Sequence, residues 1–492
     1  MKVNVNLNIL KKKQPITSPS RIEWGFAVLM SALFFLTMFY VDNFGMFLTY
    51  FWTNEGLIEG RGFDALGYQG LPYGIFHQWL CEIWVIPVNI IYHITGTGFD
   101  GTAALLWYKF FVTFFFILCM AETGKIAKTL EIDDEQIKWM QFFILTSLLV
   151  ALPAFHIAQT DVTYLLLMLM GFHAYIKDDY KRFIICFALA IPLKIIAIFA
   201  FIPLILLKEK RIFYVIRDLI LGCIIVPAEQ ILYRLVDFLN RTFISASQTV
   251  VQSQTVVQET EKTTEEVKLG FMQHFYYKSL YFEFPAVRKG LMASLLIFVF
   301  VLLCIWCYMQ KRGTIREWKK TSLYAVTASL SVFFVMASPS PYWIIILYPF
   351  LFLLLFLNKD CFRINMLLQH AFTLTMLFVF VIDTYWVFGG SMTFDWLFLS
   401  KWGLLPGNHK FQEGPSIAGY LEKYGLDVFM PVMTAICLGS IIGILWINYP
   451  KATYKEEIDD KYRIKLQHGF AIFGIALMVI WYAANIVLLS RY

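Results

Sequence analysis

The stretch that decides the architecture runs from Lys177 to Arg211 and reads KDDYKRFIICFALAIPLKIIAIFAFIPLILLKEKR. Phe183 to Leu207 is one apolar run, long enough for the roughly 20 residues that a membrane span needs, yet Pro192 and Lys194 sit at its middle. A single span would put Lys177, Lys181 and Arg182 on one side of a bilayer and Lys208, Lys210 and Arg211 on the other. That arrangement opposes the tendency of Lys and Arg to stay cytoplasmic. Two short helices, one rising to Pro192 and one returning from Lys194, keep both basic clusters on the same side. Lys194 then becomes the tip of a tight hairpin near the outer face.

Composition places this hairpin in a membrane. Of 492 residues 59% are hydrophobic, 18% aromatic and only 15% charged, with a mean hydropathy of +0.63. Soluble chains carry about 25% charged residues. The sequence therefore reads as a polytopic membrane protein, which excludes soluble enzymes, nucleic-acid readers and secreted disulfide scaffolds; no nucleic-acid partner is expected. The formal charge of +6 matters through its placement and not its sum. The Cys residues fall mostly inside apolar runs, where a thiol acts as a small hydrophobe, and the CxxC spacing of Cys304 and Cys307 lies within a long apolar helix. The first apolar run is long enough to span and follows a Lys-rich tail, so no cleavable signal peptide is expected.

A second ambiguous run, Gln78 to Thr95, is broken by Glu82, Pro87, Asn89 and His93. Were it to cross, the basic loops after it would face outward, so it reads as a re-entrant or interfacial helix on the outer face. With these two choices the expected fold is all-α and polytopic, with about thirteen transmembrane helices, a cytoplasmic N-terminus and an external interfacial helix after the first span. The expected organisation is a cytoplasmic tail (1–22), a first transmembrane module (23–236) with an external loop at 42–102, a flexible external loop (237–289), and a C-terminal transmembrane module (290–492) with an external loop at 389–427. In the second external loop Ser247 to Gln252 (SQTVVQ) repeats as Ser253 to Gln258, a polar duplication that suits a flexible loop or a lid.

An ionisable side chain in a bilayer costs several kcal/mol and marks a functional hypothesis. Four such residues fall near the expected outer boundary: Asp42 after the first span, Asp161 between spans ending near Ile157 and beginning near Val162, Lys194 at the hairpin tip, and Lys109 near the outer end of a span. Three have a bland counterpart, a polar helix exit for Asp42, an N-cap for Asp161 and a snorkelling side chain for Lys109, whereas Lys194 lies between apolar stretches on both sides and is harder to dismiss. Together they suit group transfer from a lipid phosphate carrier. Lysines hold a phosphate at headgroup level, and a carboxylate takes a proton from an attacking hydroxyl or coordinates a divalent cation; the sequence leaves the cofactor open.

From Pro153 through AQTD (Ala158 to Asp161), the turn KDDYKR (Lys177 to Arg182), ALAIPLK (Ala188 to Lys194) and KEKR (Lys208 to Arg211), the chain resembles the GT-C superfamily of integral-membrane glycosyltransferases. The likeness is to the mannosyltransferase-like branch related to the second mannosyltransferase of GPI-anchor synthesis. It extends in outline to Asp42, Trp52 before Gly56, and the Pro72-Tyr73 pair. The resemblance implies a polyprenyl-phosphate-linked sugar as donor and a glycan, lipid or protein as acceptor, with transfer at the external face of a cell membrane, or at the lumenal face of the endoplasmic reticulum in a eukaryote. It implies Asp42 as the catalytic carboxylate, Asp161 and Gln159 lining the site, Lys194 on the donor phosphate with Lys109 beside it, and Tyr342 as the aromatic of a later external motif. No His precedes Tyr342, and a single Asp follows the first span. The expected activity is hexosyl transfer with inversion. A lipid-linked sugar transporter or flippase, a polysaccharide polymerase, and a catalytically silent relative are the competing classes.

Overall fold

A computed structural model describes residues 18–36, 75–96, 101–232, 234–235, 281–282, 293–336, 341–358, 361–383, 417–450, 465, 467–477 and 479–480. The protein is helical there, apart from a two-residue antiparallel ladder in which Tyr281 faces Ser294 and Phe282 faces Ala293. The helices used below are α1 (Arg21–Leu36), α2 (Ile75–Thr95), α3 (Gly101–Thr129), α4 (Asp134–Thr146), α5 (Leu148–Ala151), α6 (Val162–Ile176), α7 (Tyr180–Leu193), α8 (Ile198–Lys208), α9 (Ile212–Cys223), α10 (Leu295–Met309), α11 (Ile315–Met336), α12 (Tyr348–Leu357), α13 (Phe362–Asp383), α14 (Ile417–Lys423), α15 (Met430–Ile447) and α16 (Gln467–Leu477).

The decisive stretch folds back as the charge argument requires. α7 ends where Pro192, lacking an N–H, weakens the last turn, and Lys194 turns extended at φ −159° and ψ 125°. A short 3₁₀ turn, Ile195–Ala197, leads into α8. Phe187 and Phe201, seven residues before and seven after Lys194, stack with ring centroids 5.1 Å apart. At the open end the Lys208 ammonium lies 2.6 Å from the Asp178 carboxylate. A straight helix would separate those two residues by about 45 Å at 1.5 Å per residue, so the pair by itself establishes the hairpin.

The described residues contain part of the expected set of spans. Among the described residues three helical stretches are long and apolar enough to cross a membrane: Leu106–Thr129, Phe362–Ile382 and Leu426–Ile447. Asp134–Thr146 with Leu148–His156 would make a fourth, bent by 66°. Val162–Ile176, Ile195–Lys208, Leu296–Met309, Tyr348–Leu357 and Gln467–Leu477 are apolar but shorter. Some of the apolar runs are broken within the described residues. Ser147 takes an extended conformation that interrupts the helix between α4 and α5. Leu152–His156 winds as a π-helix containing Pro153, and Ala158 reverses the chain at φ 53°, a left-handed value uncommon outside glycine. Pro341–Ile346 forms a 3₁₀ segment ahead of α12.

Polar contacts join the helix ends at one end of the bundle. Asp178 meets Arg312 at 3.6 Å, the Lys210 ammonium donates to the Cys307 carbonyl at 3.0 Å, and Lys319 donates to the Thr129 carbonyl at 2.8 Å. Asn358 and Asn365 both donate to the Asn448 side-chain oxygen at 3.1 Å. His468 contacts Glu23 at 2.8 Å. The basic turns Lys177–Arg182 and Lys208–Arg211 thus lie at the same end, and are locally neutralised. Glu209 accepts from the Arg211 guanidinium and from nearby backbone N–H groups, which hold its carboxyl down at about 2.

Candidate functional site

Away from the polar end, three irregular segments converge: the π-helix and the loop after it (152–161), the break at Lys194, and the 3₁₀ turn 341–346. The π-helix packs on the 3₁₀ turn, which also contacts α6, and α1 packs on the π-helix. Backbone that leaves the α-helical ladder within a bilayer is tolerated where it is buried in protein or lines a cavity. Here Leu152 through Val162 are buried without exception.

The loop between the π-helix and α6 carries Gln159, Thr160 and Asp161 inward. Its geometry is set by the Gln159 N–H donating to the Pro153 carbonyl at 2.8 Å and by the Thr163 hydroxyl donating to the Thr160 carbonyl at 2.8 Å. Asp161 stands at the N-cap position of α6, but its side chain makes no capping bond. It pairs instead with Lys194, with Nζ 2.6 Å from Oδ1 and side-chain exposures of 11% for the lysine and 0% for the aspartate. The N-cap role is thereby corrected: the carboxylate is turned away from its own helix toward the hairpin tip. Buried charge is costly unless paired, and this pair satisfies that condition across 33 residues of sequence.

Lys194 is also held by aromatic faces. Its ammonium sits 3.5 Å from the ring centroid of Trp343 and 5.7 Å from that of Tyr164. Tyr342, the expected aromatic, is buried with its ring 6.5 Å from that of Phe380; the next residue supplies the cation–π contact. Trp343 is the functional candidate that sequence reasoning missed. The available signal was its position beside Pro341, where a broken helix exposes consecutive side chains to different neighbours, and the preference of buried cations for the indole face.

Lys109 is fully buried, which corrects the snorkelling alternative. Its ammonium donates to the Phe34 carbonyl at 3.4 Å and lies 5.3 Å from the Phe35 ring. It belongs to the wall where α1 ends against the π-helix, since Phe34 also meets His156 edge-on at 5.9 Å. Gln159 is wholly buried on the inward loop. Asp42 lies outside the described residues, as does the SQTVVQ duplication.

The depth of the site follows from helix lengths. α7 has 14 residues and α8 has 11, so Lys194 stands about 16–21 Å from the polar end. A hydrocarbon layer about 30 Å thick with the polar end at one boundary would leave it recessed below the other. An ion pair backed by an indole in such a recess can exchange its internal carboxylate for an entering anion, because both neutralise the same ammonium. Among the described residues no three His, Cys, Asp or Glu side chains gather as a metal set. No known protein family, no curated protein and no solved structure matches this chain.

Proposed function

We propose that this chain is a membrane glycosyltransferase of the GT-C type, with about thirteen spans, that moves a hexose, mannose or glucose, from a polyprenyl-phosphate donor to a glycan, lipid or protein acceptor at the outer face, with inversion. The observation that supports it best is the recessed Asp161–Lys194–Trp343 cluster at a junction of broken helices. A lipid phosphate lying between helices needs a cation within the bilayer that is held, yet able to trade its carboxylate partner. The indole of Trp343 keeps Lys194 in place during that exchange and offers a flat apolar face to a sugar ring. Lys109 gives a second buried amine on the adjoining wall. In this reading Asp42 accepts the proton of the acceptor hydroxyl as its oxygen attacks the anomeric carbon from the side opposite the phosphate. General-base assistance of this kind contributes about 10²–10⁴-fold, and the lysines stabilise charge on the departing phosphate.

The test is to incubate the purified protein with a panel of polyprenyl-phosphate hexoses and candidate acceptors, and to measure released polyprenyl phosphate. Acceptor-dependent release that is abolished in Asp42→Asn is expected. Absence of release across the panel, or full activity in that variant, overturns the reading. Half-length helices meeting at a buried charge also occur in secondary transporters, and that observation favours a second reading as a lipid-linked sugar flippase. Movement of the intact lipid-linked sugar across liposomes without cleavage would select it.

A further inference from the structure

At the polar end, the ends of α3, α11 and α12 border an open cavity of about 320 Å³ lined by Glu131, Arg316, Lys319, Lys320 and Asn358 among others. The charged side chains on its wall are three cations and one carboxylate. The Lys319 ammonium donates one of its three hydrogens to the Thr129 carbonyl at the end of α3. The Arg316 guanidinium, with a side chain 84% exposed, approaches Glu131 only to 3.9 Å, a loose contact for a group with five N–H donors. Glu131 itself stands at φ 63°, which swings it to the rim just past the end of α3. Asn358 adds an amide from the C-terminus of α12, where it also donates to Asn448.

The location matters as much as the charge. Along α3, Lys109 and Thr129 are separated by about 30 Å of helix, one hydrocarbon thickness. With Lys109 near one boundary of a bilayer, the end of α3 and the cavity beside it fall at the headgroup level of the other. Basic pockets between helices at that level bind anionic headgroups, and the volume sits at the small end of ligand cavities.

We propose that this cavity is a binding site for a phosphate-bearing anion, held by Arg316, Lys319 and Lys320 at the polar end of the bundle. The phosphate belongs either to an anionic phospholipid headgroup or to a soluble compound. Its recognition is independent of the glycosyltransferase reading.

The detergent-solubilised full-length protein is titrated with phosphatidic acid and with phosphatidylcholine, binding being read by native mass spectrometry, and with inorganic phosphate, read by calorimetry. Phosphatidic acid is expected to bind more than about tenfold tighter than phosphatidylcholine. Removing two cations in Arg316→Gln/Lys320→Gln should weaken it by about 25-fold, near fivefold per charge, while Lys319 stays to hold the end of α3. Glu131→Gln should tighten binding severalfold, a gain that misfolding cannot mimic. Binding of inorganic phosphate without selective binding of phosphatidic acid supports the site with a soluble anion as its ligand. Binding of neither, or equal affinity of the double variant and the unaltered protein for the anion, overturns the proposal.

Discussion

Two lysine–aspartate pairs close the two ends of one hairpin, and their geometry is the same. Lys208 lies 2.6 Å from Asp178 at the open end of α7 and α8, and Lys194 lies 2.6 Å from Asp161 at the tip. Each ammonium also faces a ring, Tyr180 at 4.4 Å in one case and Trp343 at 3.5 Å in the other. The difference is burial. Asp178 is 62% exposed and Asp161 is not exposed at all. Water already solvates the carboxylate of the first pair, so the contact adds about 0–1 kcal/mol. The second pair was removed from water at a cost that its Coulomb attraction only roughly offsets. A pair that stabilises so little for its desolvation is better explained by what it can exchange with than by the fold it holds, and that is the physical case for a site at the tip.

The largest effect should come from breaking the buried pair on one side. Lys194→Met removes the cation opposite a fully buried carboxylate and should cost about 3–5 kcal/mol, read as a fall in the thermal midpoint in detergent. Lys208→Met should cost less than about 1 kcal/mol. Equal costs would break the comparison, because they would mean that burial does not distinguish the pairs. Asp161→Leu/Lys194→Met sharpens it: replacing both charges by apolar groups should recover most of the lost stability while abolishing the sugar transfer proposed for the site. Recovery of stability together with activity would remove the pair from the mechanism.

An intermediate effect is expected at Trp343. Trp343→Leu keeps an apolar filler but deletes the indole over Lys194, worth about 2 kcal/mol for a desolvated cation–π contact. Loss of the ring over Lys208, whose side chain is 19% exposed and whose partner Asp178 is 62% exposed, should cost less, about 0.5–1 kcal/mol. Tyr180→Leu measures this cost once the lost Tyr180 hydroxyl bond to Asp218 is subtracted by means of Tyr180→Phe. If the two substitutions cost the same after correction for packing, the ring at the tip is filler and not a clamp on the ammonium.

The hairpin was legible in the sequence because charge distribution is a global constraint: Lys177, Lys181, Arg182, Lys208, Lys210 and Arg211 had to share a side whatever the details of the helices. Asp161 and Lys194 were legible for a related reason, since few charges survive inside apolar runs without a partner. The breaks were not legible. Ser147 and Ala158 are ordinary residues in an apolar context, and their extended and left-handed conformations are imposed by packing around the π-helix, a tertiary effect that no local pattern reports. Trp343 was passed over for Tyr342 for the same reason: neighbouring residues in a 3₁₀ turn point to different walls, and only the folded chain decides which wall carries the lysine. The cavity at the polar end is equally tertiary, as it brings Glu131 beside Arg316 across 185 positions.

The smallest effect concerns the exposed pair and acid. A hydrogen bond from Lys208, aided by the charges of Lys208 and Arg312, holds the Asp178 carboxyl below the ordinary aspartate range against a smaller opposing effect of burial. A carboxylate whose folded pKa is depressed contributes stability above its unfolded pKa, and that contribution disappears as pH falls through the folded value. For Asp178 the loss therefore begins below about pH 4 and continues to more acid values. With a side chain 62% exposed the contribution is screened and stays below about 1 kcal/mol. Asp178→Asn should accordingly lower the thermal midpoint slightly at pH 7 and leave it unchanged at the acid end of that window, and added salt should shrink the difference at neutral pH. Salt should leave the cost of Lys194→Met untouched, because counter-ions do not reach a carboxylate with no exposed surface. A salt response of the same size at both ends of the hairpin would show that the tip is as wet as the open end, and would remove the distinction on which the site rests.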